Sequence, residues 1–515
     1  MPIAGLPHVY GAWVGGFNAS KPAEELDPRE IYDGRNIRIF PDGRARQRSG
    51  STPFNTSALA STPTIDTFGQ HAFDADTERI WAIADGKFYE DTSGVGTGFT
   101  DRTSTATITA GNKWSMANAN GTLIGHNGVS GDTILKWSTA GGNVAALDVD
   151  SRFTWAKYWD FWDNRAWAAN TSTGTEDVWR SDLADIETWA TTSFFQIGAI
   201  VTGMRSMSNF QCIHSEDAIV LLVPTGNAVT PYRQVPKNAK GTVAPFAIKT
   251  ISPPSGGEIQ VYVRNDGIYA FDGEEARKLS ERLDGERYWD NINTSALSNA
   301  FSIDYPTRNE VWFYLPYGSG QTTMNHKMVF NYRLGVFYTA WDGVTRNSAA
   351  IINDMPYSGG ISDGFIYDDE PASSVLSDND GTTNNAIDAW FETSAITPEG
   401  EDVTPRWLFV RTSLDSVGDY DIEFTAKMRS HPNVTATIEP IGTFDAIGTT
   451  FQIGISEIAE DVTQVLNLDT NLLGYDPHIR LRYRNAVAQQ ELSIRKATCV
   501  FRPIGRTRKR RSGVI

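Results

Sequence analysis

One stretch has the spacing of a catalytic nucleophile. Gly360-Ile361-Ser362-Asp363-Gly364 matches GxSxG, which in hydrolases bends a strand into a helix and exposes the serine. Here Phe365-Ile366-Tyr367 continues as a strand, with Asp363-Gly364 as a hairpin turn. Ser362 therefore reads as a turn residue. Asp378-Asn379-Asp380-Gly381 fits the middle of a calcium loop, but Leu376 and Ile387 stand where the first ligand and the bidentate glutamate belong. It reads as part of a polar linker, 377–385. The seven histidines are too scattered for a metal site, and no HExxH, phosphate loop or GxGxxG occurs. Cys212 and Cys499 make neither a disulfide framework nor a zinc set, so each reads as a small buried hydrophobe. Carboxylates number 62, ample for a glycosidase pair, yet no spacing singles two out. The reading assigns no catalytic residue, no cofactor and no metal.

Aromatic side chains are the other candidates. Trp155, Tyr158, Trp159, Phe161, Trp162 and Trp167 lie close together, and such a group either stacks on sugar or fills the core between sheets. The second use buries the most area per residue and is the reading adopted. It extends to Val311-Trp312-Phe313-Tyr314 and to Phe337-Tyr338-Thr339-Ala340-Trp341.

The elements that would position these residues are strands. Asp-Gly occurs nine times and Asn-Gly recurs at 120–121 and 127–128, supplying the positive φ that tight hairpins require. RIWAIADGKFYED (79–91) and IQVYVRNDGIYAFDG (259–273) each read as strand, turn, strand. Apolar strands start near Ile80, Leu123, Ala166, Ile219, Ile259 and Val311, with a last pair around Ile351 and Phe365. Those intervals of roughly 40 to 55 residues match the period of four-stranded propeller blades. Only Glu274–Leu279 and Ile455–Glu460 suggest helical turns. Beyond residue 376 the strands alternate more cleanly. Tyr420, Ile422, Phe424, Ala426 and Met428 oppose Asp421, Glu423, Thr425 and Lys427, while Ile479, Leu481 and Tyr483 oppose Arg480, Arg482 and Arg484. That pattern predicts an antiparallel sandwich with one wet face.

The predicted fold is thus all-β: a β-propeller of six to eight blades followed by a C-terminal antiparallel β-sandwich. The predicted divisions are an N-terminal arm and first hairpin (1–54), a propeller (55–375), a sandwich (376–501) and a basic tail (502–515). A chain of 515 residues with 40% hydrophobic content builds a sizeable core. No run reaches the roughly 18–20 apolar residues of a membrane span, and the first residues lack the pattern of a secretory signal. The expectation is a protein that remains in the cytoplasm where it is made.

Charge is distributed unevenly. The net charge is −17, which argues against general nucleic-acid binding. Cations nevertheless concentrate at both ends. ELDPREIYDGRNIRIFPDGRARQRSG (25–50) carries Arg35, Arg38, Arg44, Arg46 and Arg48. The last residues carry Arg506, Arg508, Lys509, Arg510 and Arg511. Alternation of Ile37 and Ile39 with Arg38 marks a half-buried strand whose arginine faces solvent or a partner.

Several stretches together resemble tail proteins of short-tailed bacteriophages, the nozzle, hub or packaged-DNA stabilisation proteins. They are GGFNAS (15–20) and GRNIRIFPDGRARQRSG (34–50), then EDVWRSDL (176–183) with Thr188-Trp189. GIYAFDG (267–273) with Lys278-Leu279-Ser280, and VFNY (329–332) with GVFY (335–338), complete the set. The resemblance implies a structural virion protein, assembled in the host cytoplasm as a homo-oligomeric ring, usually a hexamer. Its neighbours would be adaptor, portal-side and other tail proteins, and the genome would pass through the ring's lumen without sequence-specific contacts. The ten basic residues named above would then dock one subunit on another. The alternative is a carbohydrate-degrading or receptor-binding propeller of a tail.

Overall fold

The computed structural model describes residues 6–371, 375–396, 403–415, 421–428, 432–438, 463–468 and 478–506. Seven four-stranded antiparallel sheets follow one another in chain order. Their opening strands are Ile65–Ala72, Ser115–Ala119, Ala156–Trp162, Gly203–Met207, Lys249–Ile251, Phe301–Tyr305 and Ser348–Ile352. Successive opening strands lie side by side around an axis, and the seventh returns to the first. There Ser348 Oγ and Asn347 Nδ2 both donate to the Ile65 carbonyl, at 2.8 and 3.1 Å. The outer strand of the seventh sheet is Thr52–Pro53, which precedes the first blade and pairs with Ile366–Asp368. Both ends of the repeat therefore build one blade, which closes a seven-bladed β-propeller.

Turn chemistry and aromatic wedges explain the repeat. Asp85-Gly86 and Asn120-Gly121 sit at φ of 50° and 70°, and 48° and 80°, the paired positive values of a tight hairpin. Blades fan outward, so large rings fill the gap between neighbours. Trp81, Phe88, Trp114, Leu123 and Trp137 pack between the first and second blades. Phe153, Trp159 and Trp189 pack between the second and third, and Tyr158, Trp167 and Tyr232 between the third and fourth. The aromatic cluster around residue 160 is thus mainly core. The segment expected to turn helically at Glu274–Leu279 is instead the outer strand Ala276–Lys278 of the fifth blade. Its companion at 455–460 lies outside the described residues.

The second body is a sandwich of two six-stranded sheets. One contains Leu6–Gly11, Ile37–Ile39, Ala45–Gln47, Val403–Asp415, Thr463–Leu468 and Ser493–Arg506. The other contains Gly16–Phe17, Glu30–Arg35, Ala389–Thr393, Ile422–Met428, Val434–Ile438 and Ile479–Asn485. Leu6–Gly11 and Ala45–Gln47 lie end to end along one edge of the long strand Ser493–Arg506, whose other edge holds Val403–Asp415. Residues 6–47 are therefore integral strands of both sheets, and the expected separate arm over 1–54 is corrected. The expected linker at 377–385 is likewise a small hairpin, Ser377–Asn379 with Asn384–Ala386. Alternation is as read: Ile479, Leu481 and Tyr483 are buried while Arg480, Arg482 and Arg484 remain partly exposed. Trp13, Ile31, Ile37 and Ile39 share one continuous core with Trp312 and Trp341 of the propeller side. No helix among the described residues is long and apolar enough to cross a membrane.

Candidate functional site

Two polar features stand out: a seam of buried charge joining the two bodies, and a cavity on the propeller axis. The seam is built on the strand pair Ile37–Ile39 and Ala45–Gln47. Arg38 is 3% exposed. Its Nη2 meets Glu310 Oε2 at 3.2 Å and Glu370 Oε1 at 2.7 Å, and its guanidinium lies 4.8 Å from the Trp341 ring centre. Burial opposes its charge, but the two carboxylates outweigh burial and hold it protonated. Arg308 reaches Glu370 at 3.2 Å, and Lys327 pairs with Asp369 at 2.9 Å. Beside this cluster, Arg48 grips Asp378 through both terminal nitrogens, at 2.9 and 2.5 Å. Asn36 completes the join by donating to Asp342 Oδ1 at 2.6 Å and to the Asp388 carbonyl at 3.0 Å.

For Arg38 and Arg48 these positions correct the expectation of docking on a neighbouring subunit, whereas Arg35, Arg44 and Arg46 stay partly exposed. Arg38 and Arg48 are consumed inside the chain, because Glu310, Glu370 and Asp378 are brought to them across more than 270 residues. Arg35 pairs with Asp342 at 3.4 Å and stacks on Tyr317. Arg44 pairs with its turn neighbour Asp42 at 2.6 Å, and Arg46 with the buried Glu491. Arg506 ends the last described strand, while Arg508, Lys509, Arg510 and Arg511 lie outside the described residues. Asp378, in the calcium-loop-like stretch, serves Arg48, and Asp380 caps its own turn through Thr382 and Thr383. Ser362 sits at φ 56° in an exposed bend, its hydroxyl 3.5 Å from that of Thr64. Among the described residues no group of three or more His, Cys, Asp or Glu is arranged to hold a metal.

The axial cavity was not foreseen. It measures about 470 Å³ and is lined by the opening strands of all seven blades. A second space of about 450 Å³ lies at the end where those strands begin, and the two share Lys113, Pro245 and Phe246. The loop carrying Phe246 leans across because Phe246 bridges to Phe301. Burial pushes the Asp66 carboxyl up to about 6, against a hydrogen bond from the Gly111 N–H and the nearby Lys113. Asp304 is raised to about 6 by the same cause. Burial draws Lys113 down to about 7, and burial with the neighbouring Arg205 draws Lys249 down to about 8. The missed signal is a charged residue in or just before four of the seven opening strands: Asp66 after Ile65, Lys113 before Trp114, Lys249 after Ile248 and Asp304 after Ile303.

The sign of the pH effect follows. A carboxyl that holds its proton more tightly folded than unfolded contributes stability while protonated. That contribution is lost as pH rises from the unfolded value of 3.8 through about 6. Asp66→Asn removes this loss, so from pH 4 to pH 7 the variant gains roughly 1–3 kcal/mol relative to the native chain. Urea unfolding at both pH values measures it, and parallel profiles would contradict the assignment.

No family model matches the chain, and no curated protein matches it. Solved structures share only its general architecture. PorZ, a surface component of the type-IX secretion system of Porphyromonas gingivalis, is 12% identical with a TM-score of 0.34, over 69% of this chain and 44% of that one. The chain thus spans less than half the length of PorZ. The extracellular domain of BT4673, a one-component system from B. thetaiotaomicron, is 11% identical with a TM-score of 0.36, over 81% and 58%. An exo-β-1,3-galactanase from Phanerochaete chrysosporium is 8% identical with a TM-score of 0.26, over 77% and 97%.

Proposed function

We propose that the chain is a structural subunit of a short-tailed bacteriophage tail, one copy of a nozzle or hub ring. The observation that carries this reading is the buried seam. A part that transmits force must keep its two bodies at a fixed angle, and ion pairs sealed from water hold one geometry at the cost of desolvation. Arg38 with Glu310 and Glu370 does this between sandwich and propeller, and Arg48 with Asp378 ties the small hairpin to the same seam. The resemblance of 15–20 and 34–50 to tail proteins supplies the assembly. The DNA path would run between copies, since the propeller's own axis is a small cavity of mixed charge. Docking would fall to the exposed faces of the propeller and sandwich and to the basic C-terminal residues.

Native mass spectrometry of the purified chain tests the reading. The expected result is a closed multiple, six copies in this family of tails, stable at micromolar concentration. A monomer at all accessible concentrations, with or without the adjoining tail proteins, overturns it.

A further inference from the structure

The axial cavity holds buried polar atoms that have no hydrogen-bond partner among the described residues. Asp66 Oδ1 and Asp304 Oδ1 lack donors, and the indole N–H groups of Trp81 and Trp114 lack acceptors. All four residues line the cavity. Trp114 and Trp81 are 2% and 4% exposed, so their unpartnered N–H groups are sealed from bulk water. The Trp81 indole edge reaches the wall because Gly69 has no side chain: a Cβ there would stand 3.4 Å from Trp81 Nε1. Unsatisfied groups of this kind are rare in native proteins, and each needs a partner or an explanation.

The partner's chemistry follows from the balance of the lining. Lys113, Lys249 and Arg205 face the carboxylates of Asp66 and Asp304 across one cavity. A small oxyanion would suit the cations but would offer nothing to the two orphaned carboxylate oxygens and would be repelled by them. A metal or organic cation would suit the carboxylates and leave the two indole N–H groups unmet, while Lys113 already donates to the Asn347 carbonyl and lies over the Phe301 ring. Hydroxyl groups both donate and accept, so a polyol meets donors and acceptors together. The entrance is mixed in the same way: Asn112, Asn127, Asn299 and Asn347 bring amides, beside the opposite charges of Lys157 and Glu216. Phe246 and Pro245 supply an apolar plate at the junction, suited to the C–H face of a sugar ring. The volume falls in the range of about 300–1,000 Å³ typical of small-molecule sites.

We propose that the axial cavity is a binding site for a small neutral sugar, entered from the Phe246 end. This assignment goes beyond the ring and stands whether or not the chain assembles.

Ligand-observed saturation-transfer NMR and calorimetry on the full chain test it, with D-glucose, D-galactose, N-acetylglucosamine and inorganic phosphate as probes. The expected result is saturable millimolar or tighter binding of at least one sugar and none of phosphate. Trp114→Phe removes the unmatched N–H together with part of the indole ring and is expected to weaken that sugar at least fivefold. Asp304→Asn, which keeps the shape and alters one acceptor, is a second variant should the first fold poorly, with the same expectation. Val229→Ala, at a fully exposed site far from the axis, serves as the control and leaves the affinity unchanged. Absence of binding by every sugar, binding of phosphate alone, or affinities unaffected in both cavity variants overturns the proposal.

Discussion

A chain beginning at residue 54 is expected to aggregate rather than fold. The deletion removes five strands from the two sandwich sheets and Thr52–Pro53 from the closing blade. It also takes Trp13, Phe17, Ile31, Ile37 and Ile39 from the largest core. Each buried side chain of that size contributes about 1.5–3 kcal/mol, and together they rival the 5–15 kcal/mol total stability of a typical domain. The stripped partners include Phe391, which packs edge-on to Trp13 at 5.1 Å, and the long strand Ser493–Arg506, left with one bare edge. Soluble yield and cooperative thermal unfolding of residues 54–515 are the measurements. A soluble product that melts like the intact chain would mean that the first 53 residues form a dispensable arm.

Arg38→Met is expected to cost about 3–5 kcal/mol, the range for breaking a buried ion pair from one side. The loss is that large because Glu310 stays behind without its paired cation and Glu370 keeps only Arg308, both carboxylates nearly sealed from water. Adding Glu310→Gln and Glu370→Gln to Arg38→Met should recover part of it, since neutral groups tolerate burial better. Arg44→Met is the internal comparison. Its partner Asp42 is about half exposed, and pairs in that setting contribute about 1 kcal/mol or less. Urea midpoints for the four chains decide the matter. Equal costs at 38 and 44 would show that the seam contributes no more than a surface pair.

How far the sequence foretold this structure depends on how completely each strand is buried. The apolar starts near Ile80, Leu123, Ala166, Ile259 and Val311 all fall in second strands of blades, which are flanked on both edges and covered on both faces. Such strands read as unbroken apolar runs. The fourth blade breaks the rule. Its second strand, Phe210–His214, carries Gln211 and His214, whose side chains bond Asp160 and Gln260 across the neighbouring blades. The apolar signal therefore moved to the third strand at Ile219. Opening strands were the hardest to see, because one end faces the axial cavity and carries Asp66, Lys113, Lys249 or Asp304. The arginines of 35–48 were legible as a cluster but not as an interior one. Their partners at 310, 342, 370, 378 and 491 lie hundreds of residues away, and charge alone does not say which side of a strand will be covered.

Closure of the first strands against the last also constrains how the chain is made. Leu6–Gly11 pairs with Lys496–Phe501, so the opening segment leaves the ribosome long before that strand partner exists. At about 5–20 residues per second, synthesis keeps it waiting for roughly half a minute or more. During that wait its apolar edge is open to any passing β-strand, including one from another nascent copy. Contacts this distant in sequence also form slowly once available. Protection of nascent chains by a holding chaperone, and a yield that improves at low expression rate, are what this topology demands of the cell that produces it.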